Sequence, residues 1–385
     1  MNVKVGEINN QIEVKKNQRD SNIEFFRIIT MLLIIAHHYV VNSGLANNNG
    51  PIFSDSLSTP SLFLLIFGAW GKIGINCFVL ITGYFMCKSN ITAKKFAKLI
   101  FEVIFYNVLI STIFLLIGYN DFTFKSFIKD IIPITSVARN FTGTYIIFFL
   151  CIPFLNILIK NLSEKNHVYL LLISSFTYIF FGTIPFLSVT MNYVSWYMVL
   201  YFISSYIRLY PKKIFDSKSF WGVVMTISIF LSVTSVIACT WLGVKLGRNI
   251  SYIFVTDSNN FLAVLTGVSS FMFFKNINFK YNKFINSMSM TTFGVLLIHA
   301  NSENMRKWLW EDILNNVNMY YSKLMPIHAL GSVICIFIIC SVIDYCRICL
   351  IEKPFLKLWD KHWSKISLKY KKIEIKFCEK FNIKY

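Results

Sequence analysis

Three residues near the N-terminus have the types and the spacing to do chemistry together. Glu24, Arg27 and His38 are separated by 3 and 11 positions. At about 100° per residue the longer step leaves only about 20° after three helical turns, so all three share one stripe of a helix. His37 falls about 100° off that stripe, and a single histidine facing the same interior groove as Arg27 is therefore His38. At 1.5 Å per residue the two lie about 16 Å apart along the axis. An imidazole, with an unperturbed pKa of about 6.5, takes and returns protons near neutrality. A guanidinium grips carboxylate or phosphate. The pattern suits a general base at one end of a helix and an anion site at the other. The plainer readings are a histidine at the lipid interface or bonded to a backbone carbonyl, and an Arg27 that anchors the chain by pairing with Glu24 at i, i+3.

The elements that must position this stripe follow from composition. The 385 residues are 55% hydrophobic and only 15% charged, against about 25% charged in an ordinary soluble domain, which excludes a water-soluble globule. A formal charge of +19 would suggest nucleic acid in a soluble chain; here the charges fall between apolar runs, and no nucleic-acid partner is expected. A helix needs roughly 20 apolar residues to cross the hydrocarbon. About ten such runs occur, at 23–41, 62–86, 99–118, 143–159, 168–187, 193–209, 220–244, 260–274, 284–300 and 326–351. With these spans, 28 of the 38 Lys and Arg collect on the side that holds both termini and 8 on the other, leaving Arg27 and Lys72 inside spans. By the positive-inside rule both termini are cytosolic. The expectation is an all-α polytopic transmembrane bundle of about ten spans, with a cytosolic segment 1–22, a membrane domain 23–351 and a basic cytosolic tail 352–385. In the tail, Trp359, Trp363, Ile366, Leu368 and Ile373 alternate with lysines. It reads as an amphipathic segment with membrane lipid as its partner, or as a solvated tail. The long, largely polar stretch of 22 residues before the first apolar run argues against a cleaved leader there. Of the nine cysteines, Cys77, Cys151, Cys239, Cys335 and Cys340 all sit inside apolar runs, so no disulfide framework is implied. Cys346 and Cys349 form a lone C-x-x-C, and no metal is expected.

The stretch from Asn22 to Tyr39, with Arg27 and His38 ten intervening residues apart, resembles the opening signature of the membrane-bound acyltransferase-3 family. Gly74 to Phe85 resembles that family's second-span motif, Tyr145 to Asn156 its fourth-span region, Thr292 to His299 its late-span motif and Ile351 to Phe355 its closing one. Five islands in order cover residues 22 to 355. The resemblance implies an integral-membrane O-acyltransferase of the bacterial cytoplasmic membrane. Such an enzyme moves acetyl or another short acyl group from acetyl-CoA to a hydroxyl of a surface polysaccharide or its lipid-linked precursor. It also implies that Arg27 and His38 are the functional pair, with Glu24 beside them.

The chemistry can then be laid along the helix. Acyl-CoA is cytosolic and polyanionic, so its phosphates should meet inner cations, of which Lys94, Lys95, Lys98 and Arg27 are the nearest. A pantetheine arm on the order of the 16 Å rise would bring the thioester to His38, where the acceptor hydroxyl arrives from outside. The oxyanion needs donors, and Lys72, Asn76, Tyr145 and His299 are candidates. Glu303 and Arg306 follow His299 at i+4 and i+7 and could form a polar rim for sugar hydroxyls on one helical face. The alternative function with the same topology is a polytopic transporter or flippase of lipid-linked glycans. That reading predicts similarity between two halves of the chain, and none is visible.

Overall fold

The computed structural model describes residues 20–47, 49–121, 123–132, 141–184, 187 and 192–380. The expected cytosolic segment 1–22 lies outside the described residues except for its last three, and so does the end of the tail, 381–385. Helices account for the regular structure, with no strand among the described residues. In chain order those used below are α1 (Ser21–Val41), α2 (Thr59–Gly68), α3 (Gly71–Met86), α4 (Ala93–Leu116), α5 (Phe124–Ile131), α6 (Phe141–Asn161), α7 (Glu164–Ser175), α8 (Tyr193–Leu209), α9 (Lys218–Leu246), α10 (Phe261–Lys275), α11 (Lys283–Ser289), α12 (Thr292–His299), α13 (Glu303–Lys307), α14 (Met325–Arg347) and α15 (Lys353–Lys380).

Among the described residues, six stretches are long and apolar enough to cross a membrane: α1, α2 with α3, α4, α6, α9, and α14 running on into α15. The other four expected runs are shorter or broken. α8 has 17 residues and α10 has 15, while the run from 168 is interrupted by a π turn at Phe176–Phe180. The run 284–300 is two helices rather than the single span expected from hydropathy. Between them, Thr291 Oγ1 donates to the Met288 carbonyl and Thr292 Oγ1 to that of Ser289. Hydroxyls that serve the local backbone this way compete with the helical ladder, and an apolar count does not register them.

α3 is the axis of the bundle, packed on α1, α8 and α10. In the α2–α3 stretch 72% of the apolar window is buried, against 22% in α9, so α9 turns most of its surface outward as a lipid-facing helix does. Gly68, Gly71 and Gly74 let α1 approach this axis. A Cβ at Gly68 would lie 2.9 Å from Val40, one at Gly74 2.8 Å from Ile34, and one at Gly71 would overlap the His37 ring. Close approach at small residues is how helices associate where lipid removes the hydrophobic drive. The start of α1 is fixed by hydrogen bonds. Asn22 Nδ2 donates to the Phe274 and Lys275 carbonyls that end α10, and Ser21 Oγ donates to Asn286 of α11. α15 begins by packing on α4, with Phe355 stacked on Phe101 at 4.2 Å and Lys94 bridged to Asp360.

Candidate active site

α1 runs unbroken from Ser21 to Val41, so Arg27 and His38 do share one stripe. His38 is half-buried near the end of α1, where the end of α12 meets it. His38 Nδ1 lies 3.0 Å from His299 Nε2, with ring centroids 5.1 Å apart. His299 is wholly buried, and its Nδ1 lies 2.6 Å from the carbonyl of Val295, one turn back in its own helix. Those contacts assign the protons. A carbonyl only accepts, so His299 Nδ1 carries the hydrogen and its neutral ring offers Nε2 as an acceptor. His38 Nδ1–H therefore donates to His299, which leaves the lone pair of the His38 ring on Nε2. That nitrogen is neither hydrogen-bonded among the described residues nor sealed from solvent. The result is a bare imidazole nitrogen aimed by a second imidazole, itself aimed by main chain. It is the arrangement of a general base with an orienting partner. His37 is differently engaged, its Nδ1 donating to the Gly68 carbonyl at 2.6 Å.

Toward the start of α1, Glu24 is buried and accepts from Ser289 Oγ of α11. Arg27 Nε lies 3.4 Å from Glu24 Oε2, and Arg27 Cζ sits 5.7 Å from the Phe78 ring centroid. Its side chain keeps 23% exposure. The terminal nitrogens of its guanidinium have no hydrogen-bond partner among the described residues. An arginine with one carboxylate neighbour and two open nitrogens can bind a phosphate bidentately.

The family profile described as an acyltransferase domain, Acyl_transf_3, matches residues 20–345. The chain belongs to the acyltransferase-3 family. Searches of curated proteins and of solved structures give no match. The chain is thus a membrane acyltransferase with several apolar helices capable of spanning.

The remaining candidate residues of this acyltransferase fall into different places. Lys72 and Arg306 are within electrostatic range of His38. Lys72 Nζ donates to Tyr193 OH at 2.6 Å. Arg306 Nε donates to the Ser302 carbonyl at 3.2 Å. The single helical face proposed for His299, Glu303 and Arg306 does not form. α12 stops at His299, and Ser302 caps a new helix by accepting from Met305 N. Glu303 is exposed in its first turn. Asn76 is fully buried and bonded at both ends of its amide, donating to the Ser258 carbonyl and accepting from Trp196 Nε1, so it ties three segments together. Tyr145 OH pairs with Thr82 Oγ1 at 3.2 Å and lies within range of the Arg27 charge. Lys95 Nζ donates to Ser89 and to the Asn90 carbonyl, Lys94 is bridged to Asp360, and Lys98 to Glu352 at 2.6 Å.

One cluster escaped the sequence reading. Arg347, at the end of α14, holds Asp344 through Nε at 2.7 Å, Glu352 through one terminal nitrogen at 2.7 Å and Glu102 of α4 through the other at 3.0 Å. Tyr106 OH donates to Asp344 at 2.7 Å. Gly294 of α12 makes room for this carboxylate, which a Cβ there would overlap. The available signal was two acids inside apolar runs, Glu102 and Asp344, which a membrane span carries only when they are paired or functional.

Proposed function

We propose that this acyltransferase moves an acetyl or other short acyl group from acyl-CoA to a hydroxyl of a surface polysaccharide or its lipid-linked precursor. We place it in a bacterial cytoplasmic membrane, as a bundle of about ten membrane-embedded segments, six of them full-length helices and the segment 284–300 a broken one, with both termini cytosolic. The observation that carries the reading is the bare Nε2 of His38, held by His299 on the same stripe as an unsaturated arginine. The donor lies along that stripe, its phosphates at Arg27 and at the lysines 94, 95 and 98, its thioester near His38. Lys94 and Lys98 exchange their present carboxylates for phosphate in this scheme. His38 Nε2 takes the acceptor's hydroxyl proton, and the oxygen attacks the thioester carbonyl carbon. The Nδ1–H to His299 then steadies the imidazolium. As the carbon–sulfur bond breaks, the same nitrogen returns the proton to the leaving thiolate, so the cycle releases no net proton. Lys72 and Arg306 supply positive charge for the oxyanion.

The test is the O-acetyl content of purified surface polymer, measured by NMR, in cells making wild type, His38→Ala or His37→Ala. The expected outcome is loss of O-acetyl with His38→Ala and retention of most of it with His37→Ala, both proteins being present in the membrane. Equal content in the two variants would remove the base assignment.

A further inference from the structure

Two residues past His299 the chain enters the wall of a cavity that the transfer chemistry above does not use. It measures about 380 Å³ and is bounded by the end of α4, the segment after it, α5, and the link between α12 and α13. Small-molecule sites fall at roughly 300–1,000 Å³. With each Cα step 3.8 Å long, the Cα of Asn301 is within about 8 Å of that of His299, whose ring touches His38.

The wall is cross-braced by carboxamides. Asn301 Nδ2 donates to Asn107 Oδ1 at 3.1 Å, Asn107 Nδ2 donates to the Asp130 carbonyl at 3.2 Å, and Asn304 Nδ2 donates to Asn120 Oδ1. This bracing holds α4, α5 and the α12–α13 link in one frame. It leaves Asn301 Oδ1, Asn304 Oδ1 and Asn120 Nδ2 without partners among the described residues. Asp130 is half-buried; burial pushes its carboxyl upward, against a hydrogen bond from Ser111 that acts the other way. One wall is aromatic, with Phe114 5.2 Å from Tyr119 between ring centroids; Trp308, outside the lining, contacts Phe114 at 5.9 Å. The charged groups lining the space are Asp121 and Asp130, with no lysine or arginine among the described lining residues.

Open amide donors and acceptors, carboxylates, and an apolar wall are what a sugar ring asks for: hydroxyls that both give and accept hydrogen bonds, and a C–H face that stacks on an aromatic. The sign of the charge then selects among sugars. A phosphate or a uronic acid would enter against two carboxylates, with no cation among the described lining residues to offset them, which costs free energy of desolvation and repulsion. We propose that this cavity is the acceptor subsite and that it takes an uncharged sugar ring, a hexose or N-acetylhexosamine, rather than an acidic one. The assignment rests on acyl transfer at His38 for its role as acceptor site, and on the cavity alone for its ligand.

The test is direct binding to the purified full-length protein in detergent, followed by tryptophan fluorescence. The probes are the methyl glycosides of glucose, N-acetylglucosamine and glucuronic acid. A neutral glycoside should bind saturably and the glucuronide should not. Asn301→Ala and Ser111→Ala should weaken the neutral probe about tenfold. Asp121→Lys, at an exposed position, should let the glucuronide bind. Stronger binding of the glucuronide to wild type, no saturable neutral binding, or variants that bind as wild type does would overturn the subsite. Neutral binding that survives while His38→Ala leaves polymer O-acetylation intact would sink the transfer reading and keep the sugar site.

Discussion

Arg27 and Arg347 both belong to long apolar helices, and both face carboxylates, yet their wiring differs. Arg347 is 2% exposed in its side chain, and each guanidinium nitrogen has an acid, three in all, drawn from α4, α14 and the turn before α15. Among the described residues Arg27 has Glu24 alone, at 3.4 Å, and it keeps 23% exposure. A saturated arginine has nothing left to offer a ligand. It is a clasp, and its energetic role is to keep its own acids from standing buried and unpaired. An unsaturated arginine holds charge in reserve for something that arrives. The contrast separates the saturated cation from the one proposed to bind a ligand without reference to which loop they occupy.

The contrast breaks most visibly at Arg347. Arg347→Ala strands Glu102 and Asp344, and removing one partner of a buried network costs about 3–5 kcal/mol. The expected result is little monodisperse protein on size-exclusion chromatography of detergent extracts; a normal peak with normal transfer would show that the clasp is dispensable. At Arg27 the fold should survive. Losing a charge-assisted phosphate contact worth about 1.5–3 kcal/mol should raise the KM for acyl-CoA between tenfold and a hundredfold in Arg27→Ala. Lysine should restore part of it. A kcat defect with an unchanged KM would reassign the residue. His299→Ala should lower kcat by about tenfold or more while leaving both KM values near wild type, since it removes only the partner that aims His38. His299→Gln, which can still accept from Nδ1–H, should recover part of the rate and part of the pH profile. The smallest effect belongs to the exposed pair Glu164 and Lys212, 2.6 Å apart at the start of α7. The lysine and Tyr206 hold the Glu164 carboxyl below its usual range. Its contribution is present above the unfolded carboxylate pKa of about 4.3 and disappears as pH falls through the lower folded value. Thermal unfolding of Glu164→Gln should differ slightly from wild type near neutrality and converge with it in acid.

Local periodicity carried what the sequence could reveal. The stripe through Glu24, Arg27 and His38 depends on fifteen residues of one helix, and the helix is there. The apolar class of the chain follows in the same way from composition. What stayed hidden lies between distant segments. His38 and His299 are 261 positions apart, and each was visible as a candidate while their contact was not. Arg347 counted toward the basic side of the alternation, and its partner Glu102 comes from a helix 245 residues earlier. The break after Ser289 was written in two threonine hydroxyls rather than in hydropathy. The lysines at 94 and 98 read as free cations because Asp360 and Glu352 belong to the far end of the chain.

The contact between Gly71 and His37 has a diagnostic consequence. The imidazole fills the volume that any larger residue at 71 would claim, and the next residue on that helix is His38. A methyl group introduced there would shoulder α1 aside and spoil the aim of His38, the proposed base, so a scan of the bundle would score the glycine as indispensable although it belongs to neither proposed ligand site. Recovery of the rate in a Gly71→Ala, His37→Ala double variant would identify such a defect as mechanical.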